Sequence, residues 1–257
     1  MEPPTDQEIR VAFPDTPDRH LRITIGPGRL KLAPGTVGEW VSGTYRDPTG
    51  SIPARVDEQG GTVRISQSYN RNLPKLRGMP AFDLRLGTEQ PYALTLEGGA
   101  SDDYVCDLGG LPLTRLDVRH GAAQIRLDFS APNPQPMERL RLQVGAADVE
   151  ATNLANANAA EIAIDGGAAA FRFDFGGALA RDSAVRITTG AASVEVAVPA
   201  TTAAQIAPHA VLGSVEVGDG FETREGGYWT KAAVAGATPV VTIDANVTLG
   251  SLKLRTT

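Results

Sequence analysis

The sequence predicts an all-β chain, a predominantly parallel β-solenoid built from units of about 23 residues with an irregular N-terminal cover. Three observations predict it. An apolar alternation of period two, broken by a small-residue corner and then resumed, recurs at Leu116 to Phe129, Leu140 to Ala151, Ile162 to Phe175 and Val185 to Val198. The corners, each Gly-Ala-Ala, begin at Gly121, Gly145, Gly167 and Gly190, in steps of 24, 22 and 23 residues, and a fixed internal period of that size marks a stacked array. Composition agrees, because 28 Gly, 18 Pro and 5 % aromatic residues without a long helical periodicity describe a chain of many turns.

Within a unit, alternation sends one set of side chains to a core and the other to solvent. Gly at the corner allows backbone angles closed to residues with a Cβ, and two Ala keep the bend slim. The alternative is an antiparallel sandwich of hairpins, each turning at Gly-Ala-Ala. In a parallel stack Arg126, Glu150, Arg172 and Glu195 fall in one row of alternating charge, about 4.8 Å apart, whereas neighbouring hairpins would not align them. The row two residues on reads Asp107, Asp128, Thr152 and Asp174. There Asp107 and Asp128 become like-charged neighbours, either on a solvated face or around a cation.

Taken in order, residues 1–20 form a lead-in with Pro3, Pro4, Pro14 and Pro17 and a short edge strand at Ile9, Val11 and Phe13. Residues 21–97 form the N-terminal β cover. It opens with a solenoid-like unit, in which Leu21, Ile23 and Ile25 reach Gly26-Pro27-Gly28 and Leu30 and Leu32 follow. Short strands are expected at Trp40 to Tyr45, Arg55 to Asp57, Thr62 to Gln67, Phe82 to Leu86 and Tyr92 to Leu96, with an exposed basic loop at Asn70 to Pro80. Residues 98–257 carry the repeats: an irregular unit with its corner at Gly99, the regular coils, a shortened unit at Gly213 and a last one at Gly250. The insertion at residues 218–240, holding Phe221, Tyr228 and Trp229, reads as a hairpin or loop on the stack.

The chemistry is sparse. A net charge of −6 without a basic run argues against nucleic acid and anionic membrane surfaces as partners. No run of about 18 apolar residues exists to span a membrane, and the acidic, Pro-rich start is unlike a secretory signal. The single Cys106 alternates with Tyr104 and Leu108 and reads as a small buried hydrophobe. His20, His120 and His209 occupy different repeat positions, which makes them structural, and no ligand spacing for a transition metal exists. The Gly-rich corners join strand to strand, so they are not phosphate loops, and no cofactor is expected. Asp102, Asp103, Asp107 and Asp128 with Arg126 are the only nearby carboxylate cluster an enzyme could use, with Asp102-Asp103 read first as a solvated turn, and no Ser or Cys nucleophile stands in a suitable context. Trp40, Tyr45, Tyr228 and Trp229 read as core or cap packing, with a stacking platform for sugars as the alternative.

Leu21 to Leu32, Asp107-Leu108-Gly109-Gly110-Leu111-Pro112-Leu113, the Gly121 and Gly145 corners and Leu127-Asp128-Phe129 resemble bacterial toast-rack domains over about residues 21–257. Such domains resemble the extracytoplasmic part of cell-wall-stress response membrane proteins and of adhesin-like relatives. The family commonly shows Gly-Ala-Gly where this chain has Gly-Ala-Ala, a departure that bears on corner flexibility and not on the fold. The resemblance implies a non-catalytic scaffold or protein-interaction module of the cell envelope, linked to the envelope stress response. Its partner would be a protein or a cell-wall component. A carbohydrate-binding or adhesin-like module is the second reading and a polysaccharide-acting enzyme the third. No catalytic, metal or cofactor residue is carried over.

Overall fold

The computed structural model describes residues 6–35, 38–48, 50, 52–68, 78–224 and 226–257, without the side chains of Ser101 and Asp102. The expected basic loop at Asn70 to Pro80 lies outside them except for its last three residues. The chain forms one 16-stranded sheet. Seven short strands come first: β1 (Asp6–Val11), β2 (His20–Ile25), β3 (Arg29–Pro34), β4 (Val41–Arg46), β5 (Ala54–Gln59), β6 (Thr62–Gln67) and β7 (Ala81–Leu86). Six long bent strands follow: β8 (Tyr92–Asp107), β9 (Leu113–Asp128), β10 (Met137–Thr152), β11 (Ala159–Asp174), β12 (Ser183–Val198) and β13 (Ala203–Val217). The chain ends with the short strands β14 (Phe221–Arg224) and β15 (Gly227–Thr230), the one-turn helix α1 (Lys231–Val234) and the long strand β16 (Val240–Thr256).

The long strands are parallel throughout, which excludes the antiparallel sandwich. Each has two arms joined at the corner, and the side chains of both arms turn to one core. Leu94, Leu116, Leu140, Ile162 and Val185 stack in one buried column before the corner. Tyr104, Ile125, Val149, Phe171 and Val194 stack in another after it. The charged row forms as the spacing requires, and it runs further, through Arg126, Glu150, Arg172, Glu195, Lys253 and Glu216. Lys253 pairs straight across with Glu216 at 3.0 Å, while Arg126 and Arg172 reach diagonal partners, Asp103 at 3.1 Å and Asp148 at 3.3 Å. All are exposed and each is worth about 0–1 kcal/mol, so the row fixes register more than stability.

The corner glycines have a different reason from the one the sequence suggested. None of Gly121, Gly145, Gly167 and Gly190 adopts the left-handed backbone that favours glycine. Instead, a Cβ on each would meet the carbonyl oxygen of the corner glycine one coil back, at 2.7, 2.6, 2.5 and 3.1 Å respectively. Close approach between coils, not a special turn, excludes the side chain.

At the start of the stack, β2 and β3 lie beside the two arms of β8, with Gly26 donating to Gln67 Oε1 at 2.8 Å where they bend. Beyond them come β6 and β7, and the antiparallel strands β5, β4 and β1 complete that end. The far end departs from the expected order. The Gly250 unit is not last in space, because β16 inserts between β12 and β13. Its inward residues Val241, Ile243, Ala245, Val247, Leu252 and Leu254 are all buried and fill both arms. By contrast, β13 offers exposed residues after Ile206 and carries Pro208, which cannot donate to a ladder and suits an edge.

The return loops hold features the alternation did not announce. Asn133 is buried and donates through Nδ2 to the carbonyls of Leu113 and Ala157, at 2.8 and 3.2 Å. Asn156, one coil on, donates to the Phe129 carbonyl at 2.8 Å and accepts from the Ala178 amide at 2.8 Å. Asn153 and Asn158 take the left-handed conformation, which asparagine tolerates better than most residues (φ 57° and 53°). Replacing Asn156 by Ala strands the buried Phe129 carbonyl and frees the partly buried Ala178 amide. We expect a loss of about 2 kcal/mol in a urea unfolding titration.

Candidate functional site

Two surface features stand out. The first is a groove of about 930 Å³ that crosses the coils where the first arms reach the corner. One bank is a register column of outward side chains, Thr24, Glu97, Arg119, Gln143, Asp165 and Thr188, one from each successive coil. Gly98, His120, Val144 and Gly166 supply the floor, and the corner glycines Gly99, Gly121 and Gly145 leave the other bank low. Each carboxylate on the bank has a guanidinium beside it. Glu97 lies 3.5 Å from Arg119 and 3.8 Å from Arg22, and Asp165 lies 3.4 Å from Arg141.

His120 is the exceptional member of this floor. Only 5 % of it is exposed, and neither ring nitrogen has a hydrogen-bond partner among the described residues. Its ring stands edge-on to Tyr104, with centroids 4.2 Å apart, and fills the space above Gly98, where a Cβ would lie 2.0 Å from the imidazole Cε1. Burial pushes its pKa down to about 4, so the ring is neutral at pH 7. An unpartnered buried polar group costs about 1–3 kcal/mol and calls for an explanation.

The second feature is the far end of the stack. Beside β13, the strand β15 pairs only with Gln205 and Ile206, and β14 then pairs with β15. The hairpin occupies the place of a further strand beside the first arm and leaves a notch beside the second. Among the described residues, four of the five exposed large hydrophobics gather there: Val211, Leu212 and Val215 on β13 and Leu249 on β16. Val211 is 75 % and Leu212 68 % exposed.

The residues singled out in the sequence go elsewhere. Asp107 and Asp128 are register neighbours, as the row requires. Asp107 Oδ1 accepts from Ser130 Oγ at 2.7 Å and the Gly109 amide at 2.9 Å, and Asp128 Oδ1 accepts from Thr152 Oγ1 at 2.8 Å and Asn153 Nδ2 at 2.7 Å. They tie each coil to the next at the start of the return loops, and Asp107 also closes its own turn through Gly109. No group of His, Cys, Asp and Glu suited to a metal ion exists among the described residues. The side chain of Asp102 lies outside those residues, and Asp103 pairs with Arg126. Trp40 and Tyr45 are buried in the N-terminal cover, Trp40 against Phe13 and Tyr92 and Tyr45 against Phe82, so they form no platform for sugars. Tyr228 and Trp229 are half-buried on β15. His20 is half-buried and bonded to Thr95 Oγ1 at 2.8 Å, and His209 is exposed on β13. Cys106 is buried, and burial pushes its thiol pKa up, which removes it as a nucleophile at neutral pH.

Residues 3–150 match the family model described as the N-terminal domain of toast_rack. The chain belongs to the toast-rack family. That match takes in the cover and the first long strands, β8 to β10, and the later toast-rack coils repeat them. Among solved structures, a putative cell adhesion protein from Clostridium sporogenes shares the fold with a TM-score of 0.55 at 15 % identity, over 99 % of this chain and 100 % of that one. A putative adhesin from Bacteroides fragilis aligns over 99 % and 98 % of the two chains, with a TM-score of 0.39 at 9 % identity. No curated protein matches the sequence. No helix among the described residues is long and apolar enough to cross a membrane.

Proposed function

We propose that this toast-rack chain is a non-catalytic interaction module of the cell envelope, outside the cytoplasm, that takes up an extended segment of a protein partner beside β13. One observation carries the reading: the exposed apolar group Val211, Leu212, Val215 and Leu249 flanks the uncovered edge of the second arm of β13. An open edge offers peptide donors and acceptors to an added strand, and alternate side chains of that strand would cover the apolar group. A notch bounded by the β14–β15 hairpin admits a single strand more readily than a second stack. Placement in the envelope rests on family membership, as does a link to the envelope stress response.

A photo-crosslinking residue placed at Leu212 in the producing bacterium should yield one discrete adduct with another protein. The same residue at Arg186, on the outer face of the first arm, should yield none. Introducing Val215→Lys beside the crosslinker should abolish the adduct while leaving the melting temperature in place, since Val215 is already exposed. Adducts of equal strength at both positions, or adducts only between copies of this chain, would remove the reading.

A further inference from the structure

The groove at the corner is separate from the end surface and has its own logic. We propose that it binds a neutral, linear oligosaccharide lying across the coils, with successive sugars meeting successive rungs of the Thr24 to Thr188 column.

Shape gives the first reason. Six coils contribute to the polar bank, one side chain each, at the spacing of parallel strands, about 4.8 Å. Such a regular row suits a polymer with a repeat, not a compact small molecule. An extended polypeptide advances about 3.3 Å per residue and would fall out of step with the rungs.

Chemistry gives the second. The rungs are hydroxyl, carboxylate, guanidinium, amide, carboxylate and hydroxyl, a mixture of donors and acceptors of the kind sugar hydroxyls satisfy, because each hydroxyl both donates and accepts. Charges on and beside the bank balance, with Arg22, Arg119, Arg141 and Arg186 against Glu97, Asp117, Asp165 and Asp244, the last beside Arg186 on the next coil. Balance favours a neutral chain over an acidic one. Opposite the polar bank, the glycine corners and Val144 offer a low apolar surface to the C–H faces of the rings.

His120 supplies the third and independent reason. Its neutral ring carries one donor and one acceptor, both unpartnered, in the groove floor between Gly98 and Val144. Both nitrogens lie just beneath the floor surface, so a turn of the ring toward the groove would present one of them to a ligand hydroxyl or amide, the partner the chain does not supply.

The test uses the purified full chain and calorimetric titration with β-1,4-linked glucose and N-acetylglucosamine oligosaccharides of increasing length, with oligogalacturonate as the acidic comparison. For at least one neutral series, affinity should rise with each added sugar until the chain spans the six rungs and then level off. Gln143→Trp, which fills the middle of the groove from an outward position, should weaken binding at least tenfold at an unchanged melting temperature. His120→Phe should weaken it as well, with the fold checked by the same melting experiment. Absence of saturable binding by both neutral series would overturn the proposal. So would affinity that is flat with length, indifference to Gln143→Trp, or tighter binding of the acidic oligosaccharide.

Discussion

Gly145→Ala should destabilise the protein by about 3 kcal/mol, whereas Gly99→Ala, in the same column one stack position earlier than Gly121, should change stability by no more than about 0.5 kcal/mol in either direction. The decisive difference is what stands behind them, although Gly99 also adjoins a register shift of the β8–β9 ladder. A Cβ on Gly145 would lie 2.6 Å from the carbonyl oxygen of Gly121, a backbone atom that cannot rotate away, while a Cβ on Gly99 meets nothing within 4 Å. Alanine at position 145 therefore forces two coils apart at the corner, where their strands otherwise pair in register from Arg139 to Thr152. Gly190→Ala, at 3.1 Å from the Gly167 oxygen, should fall between the two. In a domain of this size the Gly145 change corresponds to a fall in melting temperature of roughly 6–12 °C. Equal effects at positions 99 and 145 would show that the glycines serve backbone freedom, the reason the sequence alone suggests.

This contrast marks the limit of what the sequence made legible. Period-two alternation and evenly spaced corners pointed to a stacked β array with one buried face, because register is dictated wherever one face of a strand is buried. Alternation of Arg126, Glu150, Arg172 and Glu195 then chose between parallel coils and hairpins, since only neighbours in space gain from opposite charge. Placement of β16 between β12 and β13 was not legible, because a strand with two apolar arms fits any interior position and sequence order favours the nearest. The groove escaped for a related reason. Its bank is one residue from each of six coils, separated by 22 residues or more, and each of those residues alone reads as an ordinary exposed position on a strand. The signal available was the column itself, readable by writing the coils beneath one another and asking which rows stay polar next to the corner. The apolar group at the far end was hidden in the same way, because Val211, Leu212 and Val215 look like core residues until the strand is known to lie at the edge.

Stability should fall as the pH is lowered from about 6.5 to about 4, and His120 should account for about 3 kcal/mol of that fall. The unfolded chain takes up a proton on this imidazole near the ordinary value of 6.5, whereas burial holds the folded ring neutral down to about 4. Between those values the unfolded state binds more protons than the folded state, so acid favours unfolding. Above about pH 6.5 both states are neutral and the contribution is flat. His20, also lowered chiefly by burial, adds a term of the same sign, and the paired carboxylates of Asp6 and Glu138 lose their Arg partners only at lower pH. Comparison with His120→Phe isolates the one residue, because phenylalanine keeps a ring against Tyr104 and buries no unpartnered nitrogen. Urea midpoints measured from pH 8 to pH 4 should separate the two proteins progressively below pH 6.5, with the variant the more stable. Parallel curves would mean that His120 stays hydrated in the folded protein and opens to solvent through the groove.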